Sequence, residues 1–251
     1  IQNGINVINP IDVSKLRVAG AELKEAFLPV DSVWASISLT QNLSIEGIYL
    51  MEWEEIEPDP AGTYFSTNDF ATIGGSYAML GFGTVPQPVN NPERFFDVCA
   101  NPGGAIGYTL SDTGLPPALV GAGCGAAFPR IADRKARDSG QYGAALRYFA
   151  SELNETEFGF YYLKYHSRLP VISGFAVTSS ATSSGRVMVE YPEDIEMYGV
   201  SWNTSLPGGI AWQAEISYRD NMPLQVDDVE LVLVVLILTF FEQIMVIGYL
   251  R

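Results

Sequence analysis

The chain is poor in charge, histidine and cysteine. Charged residues make up 17% of its 251 positions, against about a quarter in ordinary soluble domains. Lys and Arg total 14 against 29 Asp and Glu, a formal charge of −15. So few cations exclude nucleic-acid binding as the default, because phosphate backbones need clustered Lys and Arg. His166 is the only histidine and no G-x-S-x-G elbow occurs, so a hydrolase triad lacks its parts. Cys99 and Cys124 are the only cysteines, with no C-x-x-C and no neighbouring histidine to complete a metal site. No early segment has the charged, apolar and small-residue parts of a secretory signal. With Ile1 in first place, the expectation is a processed chain or a piece of a longer protein.

What is abundant points elsewhere. Hydrophobic residues reach 47%, aromatics 12%, and there are 24 Gly and 15 Pro. Much turn chemistry with many aromatics suits an antiparallel β protein, and the shortage of charge suits an outer face that meets lipid.

Strict alternation begins after a short helical signal at Ala21–Leu28, stopped by Pro29. Val33, Ala35, Ile37 and Leu39 share one face, with Trp34, Ser36, Ser38 and Thr40 opposite. After a turn at Gln41-Asn42, alternation resumes from Leu43 to Trp53, which reads as a strand of about ten residues or more. A second hairpin runs from Tyr142 to Tyr148, turns at Ser151–Glu155 and returns through Phe158, Phe160 and Tyr162. The third is the cleanest: Tyr198, Val200 and Trp202, a turn at Leu206-Pro207-Gly208-Gly209, then Ile210, Trp212, Ala214, Ile216 and Tyr218.

One strand alone does not distinguish a soluble sandwich from a membrane barrel. Strands near ten residues, and a polar face rich in Gly, Ser and Ala rather than Lys, favour an antiparallel transmembrane β-barrel of the outer-membrane type. Arg147, Glu215 and Arg219 are then the candidate lumen-facing residues, because their strands place them on the polar side. The whole of 1–251 is expected to be part of one barrel domain. Residues 58–140, broken by prolines and glycines, form a long loop placed to plug or cover the lumen. Residues 229–251 are an atypical apolar tail, interrupted by Glu242-Gln243.

A series of segments carries a resemblance. They are Asn6–Asp12, Gly62–Phe70, Arg137–Gly143, Tyr165–Pro170, Glu190–Ile195 and Met222–Asp228. In this order they resemble outer-membrane proteins of proteobacteria in the domain-of-unknown-function 1302 family. The resemblance implies a large β-barrel in the outer membrane of a Gram-negative bacterium, bathed in membrane lipid and lipopolysaccharide. Members are considerably longer, and the tail after Leu236 departs from their pattern. The resemblance also implies a periplasmic lipoprotein-like partner and an inner-membrane transporter of the resistance-nodulation-division type. With them comes an expected task, the movement of a lipid-like or hydrophobic molecule across the envelope. It supplies no catalytic residue and no cofactor, so the expectation is a protein that is not an enzyme. A general porin for small polar solutes, or a receptor or adhesin presenting the long loop, are the alternatives.

In an oxidising envelope compartment Cys99 and Cys124 are expected to form a disulfide, with free thiols or metal ligation as the other readings. The acidic run Glu52, Glu54, Glu55, Glu57 and Asp59 reads as a solvated strand end, or alternatively as a divalent-ion contact to lipopolysaccharide. Arg130, Arg134, Lys135 and Arg137 are expected to pair locally with Asp133 and Asp138, the alternative being charge selection in a pore. His166 is expected at a strand end on the barrel rim. The glycines of Gly81–Pro86 and Gly121–Gly125 read as loop glycines.

Overall fold

Side chains that alternate between apolar and small or polar cannot bury one stripe as a helix, but they can give a sheet two unlike faces. The computed structural model describes residues 7–66, 68–79, 94–100, 109–175, 185–227, 230–231, 245–246 and 249–250. Strands β1 (Ser32–Ser38) and β2 (Leu43–Leu50) form the first hairpin. The short β3 (Tyr77–Met79) and β4 (Ala127–Pro129) pair within the long insertion. β5 (Gln141–Ala150) and β6 (Thr156–Tyr165) form the second long hairpin, and β7 (Val171–Phe175) pairs with β8 (Arg186–Glu190). β9 (Ile195–Leu206) and β10 (Ile210–Asp220) form the third. The brief β11 (Leu224–Gln225), β12 (Met245–Val246) and β13 (Tyr249–Leu250) add β11–β13 and β12–β7 pairs.

The chain is therefore all-β and antiparallel, with few helices. Among the described residues no helix is long and apolar enough to cross a membrane. The principal element is a six-stranded sheet in the order β1-β2-β5-β6-β9-β10. β1 and β10 are its edges and do not pair with each other, so the sheet is open. Its tight turns gather at one end. Between β9 and β10 the turn uses Gly208 and Gly209, whose φ of 95° and 79° are conformations that only glycine adopts without strain. Asn154 and Glu155 enter the same left-handed region between β5 and β6. At the opposite end lie the excursions 51–140 and 166–194.

Two local expectations change. The helical signal at Ala21–Leu28 yields a single turn, α1 (Leu23–Ala26), because Phe27 bridges to Ile11 and Leu28 donates to the Pro10 carbonyl. β2 ends at Leu50, short of the expected ten residues. Trp53 turns away to bury its ring edge-on against Tyr191, with centroids 4.8 Å apart.

The stretch 58–140 departs most from an irregular loop, because it has a core of its own. Tyr77, Phe95, Val98, Val120 and Ala127 are buried together, packed by Met79, Leu110 and Leu115. Helices α2 (Phe95–Ala100) and α3 (Pro117–Gly125) supply much of it, and the Cys99–Cys124 disulfide joins them with Cα atoms 5.2 Å apart. Gly121–Gly125 is therefore helical rather than loop. Ala78 and Phe128 pack with Val187, and the Ile131 and Arg134 amides donate to the Val187 and Val189 carbonyls, which ties this unit to β8. The Gly81–Pro86 segment and most of the apolar tail lie outside the described residues.

Candidate functional site

Register assigns every residue of the large sheet to a face. On one, Ile45 lies opposite Ile37 and Leu146, Phe160 opposite Leu146 and Val200, and Ile216 opposite Val200, which makes an unbroken aliphatic-aromatic row. Toward the long excursions the same face carries neighbouring tyrosines: Tyr162 to Tyr198 at 5.3 Å and Tyr198 to Tyr218 at 6.5 Å. Beyond them the in-register residues Lys164, Glu196 and Asp220 are charged. Toward the tight turns stand Tyr148, Phe158 and the edge-to-face pair Trp202 and Trp212, 5.7 Å apart. Large apolar side chains on this face are exposed, Ile216 at 64%.

The other face carries the polar chemistry. The Arg147 guanidinium donates to Glu46 Oε1 at 3.1 Å and to Glu157 Oε1 at 3.3 Å, which clamps three neighbouring strands. It also lies over the Tyr161 ring at 5.9 Å, and Tyr161 Oη shares a hydrogen bond with Ser201 Oγ at 3.1 Å. Gly159 makes this possible: a Cβ there would meet Tyr161 Oη at 2.3 Å and Ser201 Oγ at 2.7 Å. Glu215 lies opposite Ser201, and Arg219 lies opposite Met197 nearer the excursions. The face lines an open concavity of about 870 Å³. At its excursion end Leu163 and Met197 belong to a buried cluster against which Ile48 and, from the N-terminal segment, Val7 and Ile8 pack.

The three sequence-derived candidates thus share one face, with Arg147 and Glu215 lining the concavity and Arg219 outside its lining. Glu46, Glu157, Tyr161 and Ser201 complete the group. Their alternation was visible in the sequence, but the strand pairing that joins them was not.

A second polar group forms where β6 leaves the sheet. His166 is fully buried. Its Nδ1 accepts the Asp194 amide at 3.0 Å, so the ring proton sits on Nε2 and is donated to the Ser139 carbonyl at 3.0 Å. Gln141, also fully buried, accepts the His166 amide at 3.3 Å and donates to the Glu52 and Asp138 carbonyls. Burial pushes the Asp194 carboxyl up, but hydrogen bonds and charge from Arg137 and Lys164 outweigh it and hold it below the usual carboxylate range. Arg168 donates from Nη1 to the Glu54 carbonyl at 3.0 Å; burial lowers it to about 10 against the pull of Glu54 and Glu52. This group fastens the excursions to the sheet.

The basic cluster pairs differently from expectation. Arg130 does meet Asp133, at 2.6 Å. Arg134 instead reaches Glu190, Lys135 reaches Glu55, and Arg137 reaches Glu193 and Asp194. Asp138 accepts the Trp53 amide instead, because the fold brings other acids closer to those bases. The acidic run is likewise divided: Glu52 accepts the Asp31 amide, Glu55 pairs with Lys135 and Asp59 with Arg17. Among the described residues no group of three or more His, Cys, Asp or Glu side chains is placed to hold a metal ion.

Fold and site together define an all-β antiparallel protein whose main sheet has one apolar and one ion-paired face. The chain belongs to the family described as protein of unknown function (DUF1302), whose model matches residues 1–244. No curated protein and no solved structure matches it.

Proposed function

We propose that this chain forms part of the wall of an outer-membrane β-barrel that moves a lipid-like or hydrophobic molecule across the envelope. The observation that carries this reading is the contrast between the two faces of one continuous sheet. An exposed aliphatic row between two groups of aromatics is the pattern that a lipid-facing wall requires, with aromatics at the two interfaces. In water the same face would be a contiguous exposed apolar patch, which soluble monomers rarely carry. Four of the six strands, β5, β6, β9 and β10, have ten to twelve residues, long enough to cross an outer membrane with tilt, at roughly 3.4 Å per residue. Tight turns at one end and long excursions at the other match short periplasmic turns and long outer loops. The open edges at β1 and β10 require further strands, because lipid leaves no unpaired backbone unsatisfied.

In this reading the disulfide-bearing unit stands at the outer mouth and covers the lumen. The hydrophobic cargo, the periplasmic lipoprotein-like partner and the resistance-nodulation-division transporter follow from the family resemblance. The test is fractionation of native envelopes with electrophoresis before and after heating, followed by mass spectrometry of what co-purifies in mild detergent. A heat-modifiable outer-membrane protein with a bound lipid-like molecule or that transporter pair supports the reading; a wholly periplasmic protein overturns it. The ion-paired face equally suits a general porin. A steady conductance in planar bilayers would favour small polar solutes over a hydrophobic cargo.

A further inference from the structure

We infer that the Val7–Ile8 tip of the N-terminal segment is a displaceable lid on the concavity, and that an uncharged apolar molecule enters by taking its place. The inference deepens the reading above and rests on the polar face being the lumen. The segment is held asymmetrically. From Pro10 onward its backbone is bonded on two sides. Leu28 donates to the Pro10 carbonyl and Asp12 to the Ala26 carbonyl, each at 2.9 Å. On the other side Glu57 donates to the Ile11 carbonyl and Val13 to the Glu57 carbonyl, each at 3.0 Å. Asn9 Nδ2 adds a bond to the Leu28 carbonyl at 2.9 Å, and Pro10 restricts the residue before it to extended backbone.

Upstream of Asn9 these bonds stop. Among the described residues no hydrogen bond joins Val7 or Ile8 to the sheet. Their hold is apolar packing against the buried cluster of Leu163, Tyr165, Ile195 and Met197. Both tip residues are only half-buried, whereas Leu163 and Met197 are 5% and 1% exposed. Ile8 also lines the concavity together with Ile48, Leu163 and Met197. The tip thus borders the open space and the cluster at once.

A hold made of apolar burial and dispersion has no directional requirement. An aliphatic or ring-shaped body laid on Ile48, Leu163 and Met197 supplies the same burial, and the unbranched Met197 adapts its shape to the entrant. A charged group brought to this apolar end would lose water without a partner, which sets the class of ligand. A concavity of about 870 Å³ has room for such a molecule. The stretch from Asn9 to Val13 cannot leave without breaking its hydrogen bonds, so the motion is confined to the tip, with Asn9 as the pivot. A lid of this kind lowers the apparent affinity by the fraction of time it is open. Weakening the tip therefore tightens binding, whereas weakening a fixed wall loosens it.

The experiment titrates the full chain, in nanodiscs of zwitterionic lipid, with 1-dodecanol, empty nanodiscs serving as the blank. Methyl-labelled Ile and Met report the tip and the cluster by nuclear magnetic resonance, with Ile8→Val and Met197→Leu assigning the two signals. The expected result is a saturable shift of the Met197 methyl and loss of cross-relaxation between the Ile8 methyl and the cluster methyls. In Ile8→Ser, dodecanol binding should tighten by about threefold or more. Cross-relaxation that persists at saturation overturns the inference, because Ile8 is then a fixed wall. So does binding that is weaker or unchanged in Ile8→Ser, or the absence of a saturable shift. Should Ile8→Ser fail to fold, the cross-relaxation in the unmodified chain decides alone. Heat-modifiable mobility is read on the same sample: a mobility shift without displacement of Ile8 sinks the inference alone, whereas no mobility shift sinks the barrel reading itself.

Discussion

His166 stands one residue beyond the end of β6 and is closed to solvent. Both ring nitrogens are occupied by backbone groups from distant segments, the Asp194 amide and the Ser139 carbonyl. His166→Ala would leave both without partners in a site closed to solvent, and each orphaned group costs about 1–3 kcal/mol. We expect a loss of about 2–4 kcal/mol of stability, measured as a lowered urea midpoint, and a smaller loss in His166→Gln, which can restore one bond. Asp194 makes this corner pH-sensitive. Its folded-state pKa is depressed by Arg137 and Lys164, so its contribution is complete above the unfolded value and is lost as pH falls through the folded one. With an unfolded Asp near pH 3.9, near-ultraviolet circular dichroism of the adjoining Trp53–Tyr191 pair should hold at pH 5 and fade below about pH 4. In Asp194→Asn that pH dependence should flatten.

Among the elements, the long hairpins were legible because their signals are local. Alternation from Tyr198 to Trp202, two glycines in the turn and alternation again from Ile210 reappear as β9 and β10, with Tyr198 opposite Tyr218. What alternation could not convey is which hairpins neighbour each other. β6 pairs with β9 across an excursion that folds its own β7–β8 pair, a non-local choice fixed by packing. The core of the 58–140 unit was hidden for the same reason, since its buried residues are dispersed between prolines and glycines. The disulfide was readable, and its mechanical role is now specific: it closes a 25-residue separation between α2 and α3. Cys99→Ser with Cys124→Ser should destabilise that unit by up to about 3.5 kcal/mol in the chain-entropy account. Limited proteolysis should then cut within 58–140 while β5, β6, β9 and β10 stay protected. Equal loss of protection in the sheet would mean that the unit and the sheet fold as one.

For the whole molecule, the decisive property is that adjacent residues of a strand lie on unlike faces of one sheet. Ile216 belongs to the aliphatic row opposite Val200, whereas Ser217 lies on the ion-paired face opposite Gly199. Both are exposed, so a soluble protein would tolerate a lysine at either, and at Ile216 it would gain solubility by losing an apolar patch. In a membrane wall the outcomes separate. A lysine on the lipid face near the bilayer midplane costs about 2–4 kcal/mol, while one in a watery lumen costs little. Ile216→Lys should therefore lower the yield of heat-modifiable, membrane-inserted protein, and Ser217→Lys should leave it near that of the unmodified chain. The comparison needs no knowledge of cargo or partner, because it depends only on the two-residue period of the strand and on what lies beyond each face. Equal insertion of the two variants would place water on both sides of the sheet and remove the membrane from the account.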